Sequence, residues 1–172
     1  ATPVNSELPT ATGTFVWTSA NAGTTTVNVS DIALDGSWGD NYVLSTTALS
    51  GITAPASASI TKKPLANSMI AAIANQTYTG LAITPIPVVT DGTPSIIAGT
   101  DYDVSYSNNT NAGTATVTIT ATLDGNYSGS ATKNFIIDKA PLTPSVASVT
   151  SKTYDGNTSA AGTLSLATPV NS

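Results

Sequence analysis

Between residues 114 and 123 apolar and polar positions alternate without a break. Ala115, Val117, Ile119, Ala121 and Leu123 fall on one side, and Thr114, Thr116, Thr118, Thr120 and Thr122 on the other. A period of two over this length predicts a β-strand with one buried and one solvated face. Asn-Ala-Gly at 111–113 leads into it and Asp-Gly-Asn at 124–126 follows, both turn formers. The pattern is written a second time. Residues 21–34 read NAGTTTVNVSDIAL, then Asp35-Gly36 and, after an insertion, Asn41-Tyr42, which answers Asn126-Tyr127. Here Val27 and Val29 change phase to Ile32 and Leu34, so a bulge is predicted at Asp31. The chain reads as a repeat protein.

Further strands are predicted over residues 14–18 (TFVWT), 42–45 (YVLS) and 58–61. Tyr102, Val104 and Tyr106 face one side of another, with Asp101, Asp103 and Ser105 opposite. Ile83, Val88 and Val89 lie among Pro85 and Pro87, which predicts an edge or irregular strand. Residues 66–74 could form a helix, but their neighbours favour a strand or short turn. Many short strands at this spacing, with no amphipathic helix, predict an all-β chain of antiparallel β-sandwiches.

Repetition also sets the domain organisation. Residues 1–6 and 167–172 both read ATPVNS, which predicts a tandem array with a period of 166 residues, continuing past Ser172 with a near copy of Glu7-Leu8-Pro9-Thr10. Within the period, Thr77-Tyr78-Thr79-Gly80 answers Thr153-Tyr154-Asp155-Gly156. Lys63-Pro64-Leu65 answers Lys139-Ala140-Pro141-Leu142, each just after a short apolar strand at 59–60 or 135–137. These anchors predict one complete module over residues 64–140. The other module is split, with its opening segment at 141–172 and its remainder at 1–63.

Composition narrows the function classes. Nine aspartates and Glu7 stand against five lysines and no arginine, a net charge of -5. That balance argues against nucleic acid, whose affinity comes largely from neutralising phosphates, and against an anionic membrane surface. No apolar run approaches the roughly 20 residues of a membrane-spanning helix, so no membrane insertion is expected. There is no cysteine or histidine. Disulfides, thiolate sites and the commonest general base are therefore absent, leaving carboxylates and lysines. Asp101 and Asp103 share a strand face, as many solvated pairs do, and no enzymatic role is expected of them.

At this point the residues carry a resemblance. SKTYDGNT at 151–158 resembles the opening of the YDG repeats of very large bacterial surface proteins. NYVLS at 41–45 with ASITKKPL at 58–65 resembles their closing pattern. QTYTG at 76–80, GTDYDVSY at 99–106 and residues 108–127 are similar to the related Ig-like, MBG-type repeats of bacterial adhesins. The resemblance implies tandem Ig-like β-sandwich modules in an extracellular stalk or filament at the bacterial surface, with no catalytic residues. Two other roles stay open: a ligand-binding adhesin module, and an accessory domain of a secreted enzyme.

Three sets of candidate residues follow. Asp31, Asp35, Asp40 and Asn41 cluster oxygen ligands of the kind calcium takes, although the spacing is not that of an EF-hand and the same residues make ordinary turns. No other cofactor is expected. Trp38, flanked by polar and glycine residues in an inserted loop, is a candidate platform for a surface glycan, weighed against packing between modules. Tyr78 and Tyr154 read as packing residues. Finally, a module cut in two exposes core-facing side chains such as Phe15, Val27 and Val29. Leu142, Val146, Val149 and Tyr154 are expected to complete a neighbouring copy, head to tail.

Overall fold

The structure, a computed structural model, describes residues 7–55, 58–92 and 96–167. The two ATPVNS hexapeptides fall outside these residues, except Ala167. Among the described residues there is no α-helix; the fold is all-β, with two short 3-10 turns. The chain divides into two compact units. One comprises residues 1–64 and 122–128, the other 65–121 and 129–172.

In the first unit, β1 (Ala11–Trp17), β2 (Thr26–Leu34) and β3 (Leu49–Thr53) form an antiparallel sheet in that order. The bulge falls where the pattern predicts it. Asp31 and Ile32 of β2 stand opposite Gly13 alone, and Asp31 has φ +54. Beyond β3, the Gly23 N–H donates to the Ile60 carbonyl (2.8 Å) and the Ile60 N–H to the Thr24 carbonyl (3.1 Å), which extends the ladder. β4 (Lys63–Pro64) pairs in parallel with β8 (Tyr127–Ser128). Asn126 ties this segment down: its Oδ1 accepts from the Ala22 N–H (2.8 Å), and its carbonyl from the Lys63 N–H (3.0 Å).

The second unit is built on four strands in the order β5 (Gln76–Thr77), β9 (Ser130–Asp138), β7 (Gly113–Ala121), β6 (Tyr102–Ser107). Ala115, Val117 and Ile119 are fully buried, and so, within 2%, are Ala131, Phe135 and Ile137. The alternation stops at Ala121: Leu123 lies past the strand end and is exposed. Residues 65–90 form the layer over this face. Ile73, Tyr78 and Ile83 pack on Ala115, Phe135 and Ile137, while Leu65, Met69 and Ile70 are buried. This layer is irregular, with a 3-10 turn at Asn67–Met69 and one bridge, Ile70 to Val89. It closes on the sheet through the parallel pairs Gln76–Ile137 and Thr77–Asp138. The expectation of purely antiparallel pairing is corrected by this pair of strands and by β4 with β8.

Three sequence expectations fail locally. The segment at 58–61 is not a strand, although the Ile60 backbone hydrogen-bonds Gly23 and Thr24. Residues 42–45 form no strand; the chain turns there, and the third strand is β3 instead. Asp101 lies in the turn before β6, buried. Its Oδ2 accepts from the Ile97 N–H (2.9 Å), whereas Asp103 is exposed on the strand, so the two do not form a pair.

After β9, residues 141–167 are exposed throughout. Within them β10 (Pro144–Val149) and β11 (Gly162–Leu166) make an antiparallel hairpin.

Candidate functional site

Several pairs in the two sheets correspond, although the β1–β2 and β2–β3 ladders each carry a register shift that β6–β7 and β7–β9 lack. Trp17 and Phe15 oppose Val27 and Val29; Tyr106 and Val104 oppose Val117 and Ile119. On the other flank, Val27–Ile52 and Val29–Leu49 answer Val117–Lys133 and Ile119–Ala131. The Gly23–Ile60 contact answers the Gly113–Ile137 pair. Side chains directly opposite in an antiparallel pair share a face. Phe15, Val27, Val29, Leu49 and Ile52 therefore occupy the face that is buried in the second unit.

In the first unit that face lies open. Phe15 is 70% exposed, and Leu49 and Ile52 are each 42% exposed. Together with Val27 and Val29 they line an apolar concavity of about 290 Å³. Val29 departs from expectation: it is buried, because it sits on the central strand against Gly13, where a Cβ would stand 3.0 Å from its Cγ1. Val27 is half-buried. Leu49 and Ile52 were not singled out from the sequence, since Gly51, at φ +61, interrupts the alternation of LSGIT.

The exposed hairpin carries a second open apolar face. Val146 stands opposite Leu164 and Pro144 opposite Leu166. Val146, Val149, Leu164 and Leu166 are all at least 60% exposed, and Tyr154 is 94% exposed. The alternation of TLSLA at 163–167 is the signal that could have identified Leu164 and Leu166.

The turn linking β10 and β11 is organised by SKTYDGNT. The Lys152 ammonium donates to Asp155 Oδ1 (2.9 Å) and to Asn157 Oδ1 (2.6 Å) and carbonyl (2.9 Å). The Asn157 N–H and Nδ2 donate to Asp155 (3.1 and 2.7 Å), and Gly156 supplies φ +73. The Lys152 hydrogen bond, helped by the Asn157 N–H, holds the Asp155 carboxyl below its ordinary range. In the second unit, burial pushes the Tyr102 and Tyr106 phenols up, and the Tyr106 hydroxyl donates to the Pro85 carbonyl (2.8 Å).

The calcium candidates are not gathered into one cage. Asp31 Oδ2 accepts from the Ser30 hydroxyl (2.9 Å), and Asp35 Oδ2 from the Thr10 hydroxyl (3.4 Å). Asp40 and Asn41 lie at the end of the 3-10 turn Gly36–Asp40, with the Asn41 N–H donating to the Trp38 carbonyl. No three His, Cys, Asp or Glu among the described residues group so as to hold a metal. Trp38 is half-buried edge-on to Tyr42, ring centroids 6.2 Å apart, and the Tyr42 hydroxyl donates to Glu7.

No protein-family model, curated protein or solved structure matches this chain. Among the described residues its geometry supplies open apolar faces and hydrogen-bonded polar turns.

Proposed function

We propose that the chain is a non-enzymatic structural repeat of a large secreted bacterial surface protein. Ig-like β-sandwich modules set head to tail with neighbouring copies form an extended stalk or filament, which carries adhesive elements away from the cell. The observation that supports this reading is the set of corresponding pairs in the two sheets, from Phe15–Val29 and Val104–Ile119 through to Gly23–Ile60 and Gly113–Ile137. A chain that spends its sequence twice on one sheet gains length rather than a reaction centre, since in repeat architectures each unit adds span and interface with its neighbours. The solvated threonine faces and the low charge suit an extracellular setting, and the resemblance to YDG and MBG-type adhesin repeats points the same way.

An antibody raised against the chain tests this. Applied to intact cells of the producing organism, it is expected to label the surface, and external protease to remove the label. Label that appears only after permeabilisation overturns the reading.

A further inference from the structure

The second unit shows what covers this kind of sheet, and the same cover is present again in the exposed hairpin. Counting back from the shared Thr-Tyr-x-Gly motif, Tyr78, Ile73 and Ile70 correspond to Tyr154, Val149 and Val146; one residue fewer separates these from Leu142, the counterpart of Leu65. The first set is packed or buried: Ile73 and Tyr78 lie on the core, and Ile70 and Leu65 are buried. The second set is exposed throughout. Strand pairing matches as well, since the Ile70–Val89 bridge that holds the cover together is answered by Val146–Leu164. One chain thus holds a sheet without its cover and a cover without its sheet.

We infer that residues 142–166 of one copy seat on the open face of the β1–β2–β3 sheet of a second copy, making a composite β-sandwich. This rests on the tandem-repeat reading above and specifies its joint. The register is fixed by the complete unit. There Gln76 pairs with Ile137 and Thr77 with Asp138, and the Tyr78 N–H donates to the Asp138 carbonyl (2.8 Å). The counterparts give Lys152 beside Ile60, Thr153 beside Thr61, and the Tyr154 N–H donating to the Thr61 carbonyl, a strand added in parallel. Val146 and Leu164 then fill the concavity between Phe15 and Ile52, and Tyr154 packs on Ile60.

A second copy is the occupant because the spacing fits. Superposing the shared hexapeptides places Gly13 of one copy 23 residues after Gly156 of the other, as 13 + 166 − 156 gives. In the complete unit 22 residues separate Gly80 from Tyr102, the position in β6 that answers Gly13. The connection from cover to sheet therefore has the same length, to within one residue, in the complete unit and across two copies.

The chain has no cysteine, so introduced thiols report cleanly. In a two-copy chain joined on the shared hexapeptide, Thr153→Cys is placed in the leading copy and Thr61→Cys in the trailing one. A control carries both changes in the same copy. Both threonines are exposed, so the changes are mild. Both pairs are tethered within one chain, so tethering favours each alike. The seated register places only the cross-copy pair side by side, and its disulfide is expected to close at least about tenfold faster than the control. The leading Tyr154 amide should also become protected from hydrogen exchange, and the trailing one should not. Equal or faster closure in the control, or closure in neither, overturns the inference. Either failure leaves surface labelling by antibody unaffected, so it is distinguishable from failure of the stalk reading.

Discussion

Phe135 and Phe15 show how far position, rather than residue type, sets what a side chain contributes here. Phe135 is 2% exposed at the centre of the cluster with Ala115 and Ile137, whereas Phe15 is 70% exposed on the rim of the open face. Removing a buried phenyl loses its transfer free energy and leaves a cavity. Phe135→Ala should therefore cost about 3–5 kcal/mol in urea unfolding monitored on the second unit. Phe15→Ala in the same single chain should stay within about 0.5 kcal/mol, as at exposed sites generally. Equal losses would mean that the β1–β2–β3 face is already covered in solution. The sequence places Phe15 among core-facing side chains and Phe135 in a short apolar strand, and neither pattern tells what lies over the face. Val29 shows the converse: it is buried with no cover, through its central strand and the missing side chain at Gly13.

Among the elements, legibility followed the strength of the local signal. β2, β6 and β7 carry long alternations bounded by turn residues, and the phase change at Asp31 marked its bulge in advance. The run at 42–45 has strand-like residues but no strand, since Tyr42 is drawn to Trp38 and Glu7 instead. The parallel pairings, and the grouping of residues 122–128 with the first unit, depend on contacts distant in sequence, such as Asn126 with Ala22 and Lys63, and no local pattern encodes them. The turn after β10 was visible as a motif but not as a network. Its ion pair yields a pH prediction. Asp155 is held below 3.8, so the pair's contribution is present above pH 3.8 and is lost as pH falls through the lower folded value. The group is exposed, so the effect is local to the turn. Lys152→Met should move the Asp155 carboxyl titration, followed by NMR, back toward 3.8. An unchanged titration would mean that lysine does not hold the turn.

At the scale of the whole molecule, the described residues contain one sheet under an apolar layer and one whose corresponding face is open. Apart from the register shifts in β1–β2 and β2–β3, the ladders pair corresponding positions, while side-chain burial differs between the two units. Burial of apolar surface is the dominant favourable term in folding, and local opening free energies follow buried contacts rather than strand content alone. Amides of β7 and β9, behind Val117, Ile119, Phe135 and Ile137, should therefore exchange most slowly. Those of β2, the corresponding strand but under an open face, should exchange at least about tenfold faster, equivalent to about 1.4 kcal/mol of opening free energy. Native-state hydrogen exchange on the single chain measures both sets in one sample. In the two-copy chain, β2 of the trailing copy should slow toward β7, while β2 of the leading copy, with no hairpin ahead of it, should not. Slow exchange from β2 in the single chain would show that the three-stranded sheet is stable uncovered, and would remove the energetic reason for one copy to complete another.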